Sequence, residues 1–350
     1  MENVLKTGMP ILTSTDDSVR AGSESWQAHL KMAVRSLDQL LQRVGLDPDG
    51  PELEQAGLAG QDFPVFVPIP WLNRIRPGDP NDPLLAQVLA TAAERTTVPG
   101  FVKDPLDESE FQPIPGVLHK YQGRVLLVVA GVCAINCRYC FRRHFPYDSA
   151  PRSREQLAEA FGYLRDHPEV DEVLLSGGDP LMLSDERLEW IVGQLDLIPT
   201  LRRLRIHTRM PVAIPQRVTN RLTEILRSSR LKTVVVIHAN HPAEIDADVA
   251  SALRAMRDGA DAMMLNQSVL LRGVNDSVEV LEGLSRRLFE CGVLPYYLHQ
   301  LDPVAGAAHF EVPLQTGQTL MATLRDRLPG YMVPTWVQEI PGQKSKTPLA

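Results

Sequence analysis

From residue 124 onward, apolar and polar positions switch between two periods. Short runs rich in β-branched and other apolar residues, RVLLVVA, DEVLLSGGD, RRLRIHT, LKTVVVIHAN, ADAMMLNQS and VLPYYLHQLD, read as strands. Between them SREQLAEAFGYLRDH, SDERLEWIVGQLDLI, PQRVTNRLTEILRSS, AEIDADVASALRAMRDG and SVEVLEGLSRRLFECG carry apolar residues at helical spacing. After a longer first interval the strands recur roughly every 30 residues, the size of a strand-plus-helix unit. Such alternation implies a parallel sheet. Each strand also ends in hydrogen-bonding or reactive residues: a cysteine loop, then SGGD, HTR, HAN, NQS and HQLD. Chemistry gathers at that edge in (β/α) barrels. Six units without a seventh or eighth predict an α/β fold, a partial (β/α)6 barrel whose open side admits a large substrate or cofactor. No GxGxxG follows the first strand, which disfavours a dinucleotide-binding fold.

The flanks read differently. SESWQAHLKMAVRSLDQLLQRVGL has helical spacing with Ser23 or Ser25 as a cap, and the prolines of DFPVFVPIPWLNRIRPGDPNDP forbid long regular elements. The expected organisation is a mostly helical region over 1–115, the barrel over 116–330 and a C-terminal cofactor-binding tail over 331–350. A formal net charge of −7 argues against a surface for nucleic acid or anionic lipid. No export signal opens the chain and no apolar run is long enough to span a bilayer, so a cytoplasmic protein is expected.

Of four cysteines, Cys133, Cys137 and Cys140 crowd into GVCAINCRYCFRRHF, and Cys291 stands alone in a helical stretch as a small apolar residue. Thiols in the cytoplasm stay reduced, so the triplet reads as metal ligands rather than disulfides. C-x3-C-x2-C can serve three irons of a [4Fe–4S] cluster and leave the fourth open. The alternative is a structural zinc site with His144 as fourth ligand, although zinc ligands usually come as two separated pairs.

CAINCRYC, with Tyr139 before the last cysteine, resembles the signature of the radical S-adenosylmethionine superfamily. The resemblance implies that the open iron chelates S-adenosylmethionine. LLSGGDP is similar to the superfamily's glycine-rich element and implies cofactor contacts at Gly177, Gly178 and Asp179. Gln267 in LNQSVLLRGVND matches another position that touches S-adenosylmethionine.

Residues 115 to 348 further resemble lysine 2,3-aminomutases. Lys346 in PGQKSKTP matches the lysine that carries pyridoxal 5′-phosphate, with Lys344 the nearest competitor. HKYQGRVLLVVAGVC brings Lys120, Tyr121 and Arg124 onto the coenzyme phosphate. Arg142 matches the arginine that pairs with the amino acid's carboxylate. Asp302 in QLDPVAGAAHF and Glu339 in VQEIPG match the acids that hold the lysine ε-ammonium. The implied reaction moves the amino group of L-lysine from C2 to C3 by a radical route, giving (R)-β-lysine. Ser277 stands where catabolic members place a zinc-binding cysteine. With Glu339 and the short C-terminus, it resembles the branch that supplies β-lysine for elongation factor P. Expected partners are therefore lysine, elongation factor P and its lysyl-ligase at one remove, and further copies of the chain as a homo-oligomer. A catabolic lysine aminomutase and a non-catalytic iron–sulfur redox sensor are the alternatives. His207, His238 and His299 sit at strand ends without an assigned role.

Overall fold

The computed structural model describes residues 25–47, 51–147, 151 and 153–349. All six expected strands form, at Arg124–Ala130 (β2), Glu172–Gly177 (β3), Arg203–Thr208 (β4), Lys232–His238 (β5), Met263–Val269 (β6) and Leu294–His299 (β7). Val117–Tyr121 (β1) precedes them, and Thr335–Gln338 (β8) and Thr347–Pro348 (β9) follow. One sheet runs in chain order from β1 to β9. Strands β2 to β8 are mutually parallel, while β1 and β9 run antiparallel to their neighbours. The sixth helix, Leu314–Arg327, thus leads into a seventh parallel strand that the sequence pattern did not reveal. β8 also lies inside the stretch read as a tail, so the barrel sheet reaches past residue 330.

The helices between strands begin where side chains can satisfy their first free N–H groups. Ser153, Ser184, Thr219, Asp246 and Ser277 each accept from the backbone N–H three residues on, opening helices Arg154–Asp166, Asp185–Asp196, Asn220–Ser228, Ala247–Ala260 and Val278–Glu290. Their inner faces, including Leu157, Leu188, Leu222, Leu253 and Leu284, pack on Leu127, Val173, Leu204 and Val235 of the sheet. Cys291 is buried in the same core, as expected.

The N-terminal region joins this core through Trp26, Leu40, Trp71 and Leu84, and adds a small cluster of its own at Leu37, Leu41 and Ala56. The long helix read over 23–46 is two helices, Trp26–Lys31 and Leu37–Val44, capped by Ser25 and Ser36; Ser23 lies outside the described residues. The break comes where Val34 exchanges both backbone hydrogen bonds with Val67, a tertiary pairing that overrides the periodicity. Among the described residues no helix is long and apolar enough to cross a membrane.

The sheet edges at β1 and β9 are joined by side chains instead of a backbone ladder. Glu339, just past β8, accepts from Lys120 Nζ (2.9 Å) and the Tyr121 hydroxyl (3.0 Å) on β1. Its other oxygen accepts from Lys346 Nζ. The β8–β9 register pairs Gln338 with Thr347, which sets Glu339 opposite Lys346 across the hairpin.

Candidate active site

A cavity of about 490 Å³ opens at the carboxyl ends of the strands and is bounded by β1 on one side and the C-terminal hairpin on the other. The three cysteines and every residue the resemblance assigns to cofactor or substrate line it. Cys133, Cys137, Cys140, Gly177, Gly178, Asp179 and Gln267 lie towards the cysteine loop, with Arg142 beside them. Lys120, Tyr121, Arg124, Asp302, Glu339 and Lys346 form a second group, joined through the hydrogen bonds of Glu339, the stacking of Arg124 on Tyr121 and the charge of Glu339 on Asp302. Lys344 is exposed and does not line the cavity.

The cysteine loop follows β2 and is stitched to the N-terminal region. Asn136 N–H donates to Phe66 O (3.1 Å) and Arg138 N–H to Gln87 O (2.9 Å). The Arg138 guanidinium is fully buried and donates to both oxygens of Glu94 (2.8 and 2.6 Å) and to Phe63 O (2.6 Å). Arg143 Nη2 shares the same carboxylate (2.7 Å). Burial pushes the Cys133 thiol well up and the Cys140 thiol to about 12, and the neighbouring cysteines add to both shifts. A metal bound among these thiols would offset that cost by stabilising them as thiolates. His144, required by the zinc alternative, hydrogen-bonds Ala305 O (3.1 Å) and lies outside the cavity lining. Among the described residues no three His, Cys, Asp or Glu side chains are grouped so as to hold one metal ion; a four-iron cluster instead takes its thiolates on separate irons.

Gly177 and Gly178 let the end of β3 lie flush against this loop. Gly177 has φ +115°, and a Cβ at Gly178 would meet Val132 O at 2.4 Å. The Asp179 carboxylate accepts from Leu181 N–H, Thr208 Oγ1, Arg209 N–H and Met210 N–H, at 2.7 to 3.0 Å. It braces the ends of β3 and β4 against each other.

Arg142 is held by a residue the sequence did not flag. Its Nε and Nη2 donate to the two oxygens of Glu108 (2.8 and 2.6 Å), and Nη1 donates to Ser176 Oγ (3.2 Å). This side-on fork leaves the guanidinium's end-on face available to a second carboxylate. Arg124 stacks over the Tyr121 ring, 4.3 Å from its centroid.

The two acids at the far end differ. Burial would lift the Glu339 carboxyl, but Lys346 and Lys120 draw it down to about 2. Asp302 is pushed up to about 7 by burial and then by the charge of Glu339, and its Oδ1 is buried without a partner. His207 and His299 also line the cavity with Nε2 atoms buried and unpartnered, and burial holds both neutral, His299 at about 3. His238 Nε2 meets the Tyr139 hydroxyl at 2.8 Å. Ser277 serves as a helix cap, accepting from Val280 N–H.

A family model for the radical SAM superfamily matches residues 127–279. The chain is 44% identical over 324 residues to an L-lysine 2,3-aminomutase of Haemophilus influenzae, spanning 93% of this chain and 95% of that one. It is 45% identical to the L-lysine 2,3-aminomutase of Escherichia coli, over 93% and 94% of the two chains. Identity to the Clostridium subterminale L-lysine 2,3-aminomutase is 37%, over 93% of this chain and 77% of that protein. The superfamily implies a [4Fe–4S] cluster and S-adenosylmethionine, and Cys133, Cys137 and Cys140 all line the cavity wall, as the ligands of such a cluster would. With this degree of identity along nearly its whole length, the chain belongs to the L-lysine 2,3-aminomutase family of radical SAM enzymes.

Proposed function

We propose that this chain is an L-lysine 2,3-aminomutase that converts L-lysine to (R)-β-lysine in the cytoplasm and supplies it for modification of elongation factor P. The observation carrying the reading is the charge layout of one cavity. A buried arginine, Arg142, stands at one end, and two carboxyl groups, Asp302 and Glu339, stand at the other with Lys346 beside them. An amino acid with a second ammonium group has the complementary charges at its two ends.

Cys133, Cys137 and Cys140 would hold the [4Fe–4S] cluster, with Gly177, Gly178 and Gln267 against S-adenosylmethionine and Asp179 bracing that wall. Lys346 would carry pyridoxal 5′-phosphate, and Lys120, Tyr121 and Arg124 would take its phosphate. Orphaned polar atoms on His207, His299 and Asp302 in that half of the cavity support a bound polar group there. When bound, these cofactors supply hydrogen-atom abstraction and an aldehyde that captures an amine.

The chain's own residues supply placement. The end-on face of Arg142 takes the substrate carboxylate while Glu108 fixes the plane of the guanidinium. Asp302 takes the distal ammonium and surrenders its own proton in doing so. Glu339 must exchange Lys346 for that ammonium, because in this structure its two oxygens already accept from Lys120, Tyr121 and Lys346. The neutral imidazoles of His207 and His299 add no charge that would repel a cationic side chain. The two ends together hold the reacting carbons in one orientation, where a large part of the rate enhancement is expected to originate.

Elongation factor P as destination is supported by two residues, the glutamate at 339 and the cap at Ser277 in place of a cysteine ligand. The deciding experiment incubates anaerobic, iron-loaded protein with dithionite, S-adenosylmethionine, pyridoxal phosphate and L-lysine. β-Lysine is the expected product, and none from a fully loaded cluster overturns the reading. Deleting the gene should leave elongation factor P without β-lysine; a fully modified factor removes the pathway assignment and leaves the chemistry.

A further inference from the structure

Arg209 follows β4, and the proposed reaction does not call on it. Its guanidinium is buried and both terminal nitrogens are fully engaged, while Nε has no partner. Nη1 donates to Cys137 Sγ (2.6 Å) and to the Tyr139 hydroxyl (2.8 Å). Nη2 donates to Gln87 Oε1 (2.6 Å) and Glu244 Oε2 (3.0 Å). The ring of Trp71 lies 4.5 Å from Cζ.

These partners are fixed in turn. Glu244 accepts from Gln87 Nε2 (3.0 Å) and Asn240 N–H (2.9 Å), and Asn240 Nδ2 donates to both Gln87 Oε1 (3.0 Å) and the Tyr139 hydroxyl (2.6 Å). Gln87, Asn240 and Glu244 have no exposed surface. The cation therefore has no alternative position away from the sulfur. Gln87 and Trp71 come from the N-terminal region, which ties that region to the cysteine loop through Arg209.

The potential of an iron–sulfur cluster depends on its net charge, on hydrogen bonds to its sulfurs and on exposure. Thiolate ligation makes the assembly anionic, and reduction makes it more so. A cationic N–H fixed against a ligand sulfur favours the reduced form, and the dry surroundings strengthen the effect. Glu244, on the other side of the guanidinium, opposes it.

We infer that Arg209 is a positioning residue that sets the reduction potential of the centre held by Cys133, Cys137 and Cys140, with Glu244 as its counterweight. The inference rests on the reading that those cysteines bind a [4Fe–4S] cluster. The couple concerned passes one electron from an external low-potential donor, dithionite in the test, to the cluster. The donor is oxidised by one electron, and no bond of the chain forms or breaks.

The test is a redox titration of anaerobically reconstituted full-length protein, followed by electron paramagnetic resonance, for wild type, R209Q, R209K and E244Q. At the potential where wild type is half reduced, the reduced-to-oxidised ratio of R209Q is expected to fall about tenfold, a midpoint about 59 mV more negative. E244Q should move the opposite way, and R209K should lie between R209Q and wild type. A purely structural role would not give shifts of opposite sign. Variants that hold wild-type iron and keep the wild-type midpoint overturn the inference, as do R209Q and E244Q shifting in the same direction. If R209Q holds no iron, E244Q decides: a midpoint shifted to less negative values supports the inference and any other result overturns it. Failure of all three variants to hold iron means that the network builds the loop and does not tune the centre. A wild-type protein without a reducible iron centre sinks the cluster reading itself, and is told apart by its iron content.

Discussion

The cysteine end of the cavity and its lysine end are built to opposite standards. Around the cysteine loop each buried guanidinium touches an opposite charge: Arg138 and Arg143 share Glu94, Arg209 meets Glu244, and Arg142 meets Glu108. At the lysine end one carboxylate, Glu339, serves three donors, while Asp302, His207 and His299 bury polar atoms without partners. Buried polar groups are normally satisfied, so an orphaned carboxyl oxygen and two orphaned imidazole nitrogens in a cavity lining mark where something exchangeable binds. The first region has its charges paired by the chain itself, although Arg143 Nε and Arg209 Nε stay unpartnered, and suits a permanently held centre. The second is completed only by what enters it.

Glu94→Ala should produce the largest effect. It strands two buried arginines, and removing one partner of a buried ion pair typically costs about 3–5 kcal/mol. Denaturant unfolding should show a loss of at least that size, and reconstituted iron should fall because Arg138 and Arg143 flank the third cysteine of the loop. A variant as stable as wild type would mean that the cysteine end is not prebuilt, and the contrast would fail.

The same division governs what the sequence discloses. Strands β2 to β7 and the helices between them are legible because each packs one face in a fixed period. β8 is not: TWVQ is four residues long between a proline and Glu339, too short for alternation to register. The residues that carry specific chemistry stand in recognisable local patterns, from CAINCRYC to PGQKSKTP. Their partners do not. Glu108 lies 34 positions from Arg142, and Gln87 lies 122 from Arg209. A glutamate in DPLDESEF or a glutamine after LLA has no local feature that announces a buried arginine, because only the fold brings the two together. HTR at the end of β4 was the one available signal, a charge placed where a barrel collects its chemistry.

Asp302→Asn sharpens the contrast from the other side, with a smaller effect. A hydrogen bond to a charged group contributes about 1.5–3 kcal/mol, so lysine affinity of the holoenzyme should fall about ten- to a hundredfold. The pH dependence follows from the proton. Asp302 titrates near 7 in the fold, far above its ordinary value, whereas Glu339 stays charged down to about 2. Lysine binding to wild type should strengthen as pH rises through neutrality and D302N should flatten that rise, read from the coenzyme's absorbance. Stability moves the other way. The folded state binds this proton more tightly than the unfolded chain, so its contribution is present at low pH and is lost as pH rises towards 7. Without substrate, D302N should therefore melt above wild type at pH 8, with the gap closing under acid conditions. A gap of the same size at every pH would show that Asp302 does not hold the proton.

Ser277→Ala probes a position that belongs to neither end, and its effect should be the smallest. The hydroxyl accepts from Val280 N–H at the start of helix Val278–Glu290, whose Leu281, Leu284 and Leu288 are buried. Losing a serine cap costs about 1 kcal/mol. The helix should fray without moving the cavity, because neither Ser277 nor any residue of that helix lines it. The outcome separates two uses of one position, a helix cap and a metal ligand. A cap predicts a modest loss of stability, with unchanged iron and zinc content and an unchanged lysine affinity. If the alanine variant instead loses bound zinc, the hydroxyl is serving a metal, and the reading that this chain dispenses with that site is wrong.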